Sequence, residues 1–205
     1  MLEKFLDKTE FTSYADFMAN YHLRVPENFN FVYDVVDEWA RLEPQKKALL
    51  WVNDRGEHRQ FTFADIKRES DRTAAYFQQL GIGHGDMVML IMKRRYQFWF
   101  AITALHKLGA VVIPATHLLT PADIVYRCQS ADIKAIVACG DTEVLGHISA
   151  AAPQCPTLKS LVSIGPEVPE GWSDFNKGIA QAPAFVRPSR PNSNSDTSLM
   201  YFTSG

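Results

Sequence analysis

Four short runs are apolar at nearly every position: "MVMLIM" at 87–92, "AVVIPA" at 110–115, "KAIVAC" at 134–139 and "SLVSI" at 160–164. A strand buried on one face alternates apolar with polar residues, because successive side chains point to opposite sides. Runs that lack this alternation belong to strands covered on both faces, as in a parallel sheet between layers of helices. The stretches between them carry helical periodicity and are long enough for crossover connections. The expected fold is therefore α/β, a mostly parallel sheet with helices on both faces. A fifth run, "SLMYF" at 198–202, is assigned to the same sheet. With 46% hydrophobic residues in 205, the chain can build one sizeable core or at most two small ones.

The helices announce themselves by stripes and caps. Val32, Val35, Val36, Trp39 and Leu42 form an apolar stripe, with Asn30 as N-cap and Pro44 as terminator. Asp34, Asp37 and Glu38 on that helix read as a solvated face. "ALLWVNDRGEHRQFTF" reads as a hairpin about an Asp-Arg-Gly turn. Thr62 with Asp65, and Thr120 with Pro121 and Asp123, are helix-opening caps, and Gly81 is a C-terminal cap. "GIGHGD" at 81–86 closes a helix and leads into a strand, the reverse of a dinucleotide-binding glycine loop, so it reads as a turn. Phe98, Trp99, Ile102, Leu105 and Leu108 read as a packed helix face, with His106 as a packed or solvent-facing imidazole. Residues 187–197 read as a surface linker.

Several function classes are excluded on composition. The formal net charge is −2 and no basic stripe accompanies Arg94 and Arg95, so no nucleic-acid footprint is expected. No apolar stretch approaches the roughly 18 residues of a membrane span. Cys128, Cys139 and Cys155 stand at no metal-ligand spacing and the six histidines are scattered, so neither a disulfide framework nor a metal site is expected. The first residues, "MLEKFLDKTEF", resemble neither a signal nor a transit peptide, and cysteines in no disulfide framework set a reducing cytoplasm as the expectation.

Two strand-to-loop junctions carry the candidate chemistry. After Pro114 comes a short loop with Thr116, His117 and Leu118, and ligands of open α/β sheets collect beyond the carboxyl ends of strands. "YFTSG" ends in Thr203, Ser204 and Gly205, small residues that let a backbone approach an anion closely. In order and spacing, "VPENFNFVYDVVDEWA", "GDMVMLIM", "LGAVVIPATHLLTPADIVYR" and "YFTSG" resemble the AMP-forming acyl-CoA synthetases of the adenylate-forming superfamily, most closely the medium-chain branch.

The resemblance implies that residues 1–205 are the N-terminal portion of the large domain of such an enzyme, an incomplete piece lacking the C-terminal domain. It implies ATP, Mg2+ and CoA as the parent's cofactors and a carboxylic acid, most like a medium-chain fatty acid, as its substrate. By the same resemblance Thr203, Ser204 and Gly205 begin the loop that grips the ATP phosphates, and Leu118 takes the place of a CoA-contacting residue. No residue of the chain is assigned a catalytic or metal-binding role. The piece alone is expected to form no acyl-adenylate and to self-associate. An aryl-CoA ligase, an acetyl- or propionyl-CoA synthetase, and a non-catalytic α/β binding module are the alternatives.

Overall fold

A computed structural model describes residues 1–203. An N-terminal arm carries a 3-10 turn at Leu2–Lys4 and the short helix α1, Tyr14–Asn20. A π-helical turn, Val32–Val36, then runs directly into α2, Asp37–Leu42. Asn30 caps this pair as expected, its Oδ1 accepting from the N–H groups of Val32 (3.0 Å) and Tyr33 (3.2 Å). Strands β1 (Lys47–Val52) and β2 (His58–Thr62) form the antiparallel hairpin. Asn53 holds its turn by accepting from the N–H groups of Arg55 and Glu57, 3.0 Å each.

The remainder is the alternating unit: α3 (Phe63–Gln79), β3 (Met87–Ile91), α4 (Gln97–Leu108), β4 (Val111–Pro114), α5 (Pro121–Ser130), β5 (Ala135–Cys139), α6 (Thr142–Ala151), β6 (Ser160–Ile164), β7 (Ser173–Asp174) and α7 (Phe175–Gln181). Thr62 with Asp65 opens α3, and Thr120 with Asp123 opens α5, each through a reciprocal capping box. Five strands form one parallel sheet in the order β4-β3-β5-β6-β7.

The unbroken apolar runs have a direct structural cause. Val88 and Leu90 of β3 pack with α3, α4 and α7 on one face, while Met89 and Ile91 pack with α5 and α6 on the other. Both sets of side chains are fully buried. A third, smaller cluster of Val32, Val36, Ile66 and Phe100 lies under the hairpin.

Of three expectations, two need correction and one is refined. "SLMYF" is not a strand of the sheet, although residue 199 forms a parallel bridge to Val112 at the β4 edge. Val112 N–H donates to Ser198 O and Met200 N–H to Val112 O, 3.0 Å each. The next rung needs an N–H from Pro114, which has none, so the ladder stops after one bridge. The 187–197 stretch does run over the surface, but it is a pinned strap. Asn30 Nδ2 donates to Asn192 Oδ1 (3.0 Å), Asn194 Nδ2 to Pro26 O (2.7 Å), and His84 Nε2 meets Asp196 Oδ2 at 2.9 Å.

The third concerns Asp37, which is not on a solvated face. Lys107, with a completely buried side chain, sits 3.0 Å from Asp37 and 2.5 Å from Asp71. This triad, buried at the lysine and partly exposed at the two carboxylates, ties α2, α3 and α4 together. Tyr33 closes it from above, its hydroxyl donating to Lys107 O at 3.0 Å.

Candidate functional site at the carboxyl ends of β3, β4 and β5

From β3 the chain crosses to one side to make β4, then returns to the other side of β3 to make β5. That reversal leaves a crevice between β3 and β5 at their carboxyl ends, the place where open α/β sheets hold ligands. Each lip of the crevice carries a charge. Lys93 follows β3 in a left-handed backbone conformation, φ +49°, which a side chain with a Cβ seldom adopts. Asp141 follows β5 and precedes α6. Lys93 Nζ lies 3.1 Å from Asp141 Oδ2, and each side chain is 38% exposed.

Charge and burial shape this corner together. The Cys139 thiol and then Lys93 hold the Asp141 carboxyl below its ordinary range, with Arg95 adding to the effect. Burial, reinforced by Asp141, pushes the Cys139 thiol up to about 12, so it stays a neutral donor. Lys93 extends the Arg94–Arg95 pair to a basic run of three on the loop before α4, which corrects the reading of that pair as standing alone.

Beside the crevice, between β3 and β4, lies an open hollow of about 320 Å³. Leu90, Met92 and Phe98 give it an apolar floor; Lys93, Thr116 and His117 give it a polar rim. Leu118 comes next in the chain. It is 75% exposed, and its N–H donates to Thr116 Oγ1 at 3.3 Å. The parallel bridge at Val112 sends residues 199–203 in the direction of β4, toward this same end of the sheet. Phe202 packs on α5, with the Arg127 guanidinium 4.7 Å over its ring. Thr203 beyond it is exposed. Ser204 and Gly205 lie outside the described residues.

The arrangement suits an anionic, phosphate-bearing ligand: one cation, hydroxyl and imidazole groups, and strand-end backbone on a rigid sheet. Among the described residues no group of three or more His, Cys, Asp or Glu side chains is placed to hold a metal ion. His106 stands away from this end, in the last turn of α4. Its Nε2 is buried without a protein partner among the described residues, and burial holds its pKa below the ordinary range. Sequence reading placed the Thr116–Leu118 loop at a strand end but overlooked Lys93 and Asp141. Their signal was a charged residue just past an apolar strand, after "MVMLIM" and after "KAIVACG".

The sequence profile of the AMP-binding enzyme family matches residues 36–205. Among curated proteins, the chain is 34% identical over 190 residues to the mitochondrial acyl-coenzyme A synthetase ACSM2 of Rattus norvegicus, covering 90% of this chain and 33% of that protein. It is 33% identical over 187 residues to the mitochondrial acyl-coenzyme A synthetase ACSM5 of the same organism, covering 88% and 32%. The chain thus spans about a third of the length of these relatives. In fold it is similar to the anthranilate CoA ligase AuaEII, solved in complex with anthranoyl-AMP. That match has a TM-score of 0.76 and 23% identity, over 88% of this chain and 32% of the ligase. The relatives' mitochondrial designation overturns the cytoplasmic expectation. That expectation rests on unpaired cysteines and on the lack of a leader-like pattern, neither of which specifies a compartment. No helix of the described residues is long and apolar enough to cross a membrane.

Proposed function

Because the chain belongs to the AMP-binding enzyme family, we propose that it is the N-terminal part of the large domain of an AMP-forming acid–thiol ligase. The match over residues 36–205 carries this reading, and the names of the two curated relatives described above, both acyl-coenzyme A synthetases, support it. In the proposed reaction a carboxylate oxygen attacks the α-phosphorus of ATP and the bond to pyrophosphate breaks, giving an acyl-adenylate. The CoA thiolate then attacks the acyl carbon and AMP leaves. The substrate is a carboxylic acid, a medium-chain fatty acid in the finer reading. ATP enters as its magnesium complex, in keeping with the preference of Mg2+ for phosphate oxygens over protein cages.

Thr203, with Ser204 and Gly205, is the start of the loop that receives the β- and γ-phosphates. Hydroxyl and backbone N–H donors there offset charge as it moves onto pyrophosphate. The exposed Leu118 borders the path of CoA and offers apolar contact. The family match leaves the non-catalytic module without support.

The test is ATP–pyrophosphate exchange over a panel of acids of increasing length. It uses the protein that carries these residues together with the two thirds its relatives add. Exchange is expected to require an acid and to peak at medium chain length. Thr203→Ala is expected to lower it by about a hundred- to a thousandfold, the range for losing a donor to transition-state charge. Exchange that needs no acid, or is indifferent to Thr203→Ala, would overturn the reading.

A further inference from the structure

Lys93 and Asp141 meet across the crevice in a way that does little for the fold. The pair is partly exposed, and exposed pairs contribute little stability. Asp141 Oδ2 is buried, has no well-aligned hydrogen-bond partner among the described residues, and lies 3.1 Å from the Lys93 ammonium. Lys93 also holds a left-handed backbone, φ +49°, a conformation disfavoured for any residue with a Cβ. Strain retained at a strand end beside an open hollow points to function.

We propose that Lys93 and Asp141 form an anion latch, in which a phosphate group of the ligand displaces Asp141 and takes its place on the Lys93 ammonium. The inference deepens the reading above, on which it rests, by naming the residue that recognises phosphate at this end of the sheet. A phosphate carries more charge and more acceptor oxygens than one carboxylate, so it competes successfully for the same cation. Arg94 and Arg95 add favourable potential on the same loop, while Thr116 and His117 line the adjoining rim. Asp141 then acts as a resident counter-ion that keeps weakly charged anions off Lys93. Both ATP and CoA bring phosphate, so the ligand's identity is part of the test.

The two partners make opposite predictions, which a structural ion pair does not. On the 205-residue chain, inorganic pyrophosphate, ATP and CoA are titrated by calorimetry at low salt. Asp141→Asn removes a negative charge beside the bound phosphate and is expected to tighten pyrophosphate binding about fivefold. Lys93→Asn, which tolerates the left-handed backbone, is expected to weaken it at least fivefold without lowering the melting temperature. A response to both variants with ATP but not CoA assigns the latch to the nucleotide, and the reverse assigns it to CoA. Equal weakening by both variants, or no pyrophosphate binding by either wild type or Asp141→Asn, would overturn the latch. The exchange assay on the longer protein is read separately. A ligase with an indifferent Asp141 sinks the latch alone, and a working latch without acid-dependent exchange sinks the ligase reading alone.

Discussion

Replacing Lys107 by methionine keeps most of the side-chain volume and removes one buried positive charge. In the wild type that ammonium, fully buried, lies 3.0 Å from Asp37 and 2.5 Å from Asp71, whose side chains are 15% and 25% exposed. Removing one partner of a buried ion pair typically costs about 3–5 kcal/mol, since the remaining charge keeps its desolvation penalty and loses its compensation. At this chain length each kcal/mol shifts the melting temperature by about 2–4 °C. Lys107→Met is thus expected to melt roughly 6–20 °C lower at pH 7.

The pH dependence separates charge from packing. Burial raises the Asp37 carboxyl above its ordinary value, with Lys107 opposing the rise. A carboxyl raised in the folded state carries no penalty below its unfolded pKa, loses stability as pH climbs between the two values, and bears the full cost above the higher one. Without Lys107 that cost grows at neutral pH and vanishes once the carboxyl is protonated. The wild type moves the same way but less steeply, because Lys107 opposes the rise of the Asp37 carboxyl. The gap between variant and wild type should therefore shrink as pH falls from 7 toward 4, as read by urea unfolding at each pH. A gap that is constant with pH, or below about 1 kcal/mol at pH 7, would refute the electrostatic account and leave only packing of the lysine stem.

Two glycines at helical positions should answer the same substitution with opposite signs. A Cβ at Gly178 of α7 would stand 2.3 Å from the Tyr76 ring, whereas one at Gly146 of α6 meets nothing within 4 Å. In urea unfolding, Gly178→Ala is expected to lose about 1–3 kcal/mol through overpacking, and Gly146→Ala to gain about 0.5–1 kcal/mol through reduced unfolded-state entropy. A second prediction concerns the three buried cysteines, of which Cys128 and Cys139 are both pushed up to about 12 by burial. Iodoacetamide at pH 7.5 should leave all three unlabelled in the native chain and label all three in denaturant; stoichiometric native labelling would refute their protection.

The strands, helix starts and hairpin could all be read from residues within a few positions of one another. Doubly buried strands need apolar side chains on both faces, and the capping boxes at Thr62 and Thr120 close over three residues. Even the failure of "SLMYF" to join the sheet was written locally, in Pro114, but only the partner strand reveals which N–H is missed. Strand order, the Lys107 triad, the strap at 187–197 and the Lys93–Asp141 pair were decided by the tertiary structure. The triad, the strap and the pair each join charges or polar groups from distant segments, and a charged side chain looks the same in sequence whether it faces water or a partner. Asp37 shows the difference: helical periodicity put it on a polar face, and the fold laid a buried lysine against that face. Burial is set by what packs above a residue, and a charge's partner is set by topology, so neither can be deduced from its neighbours along the chain.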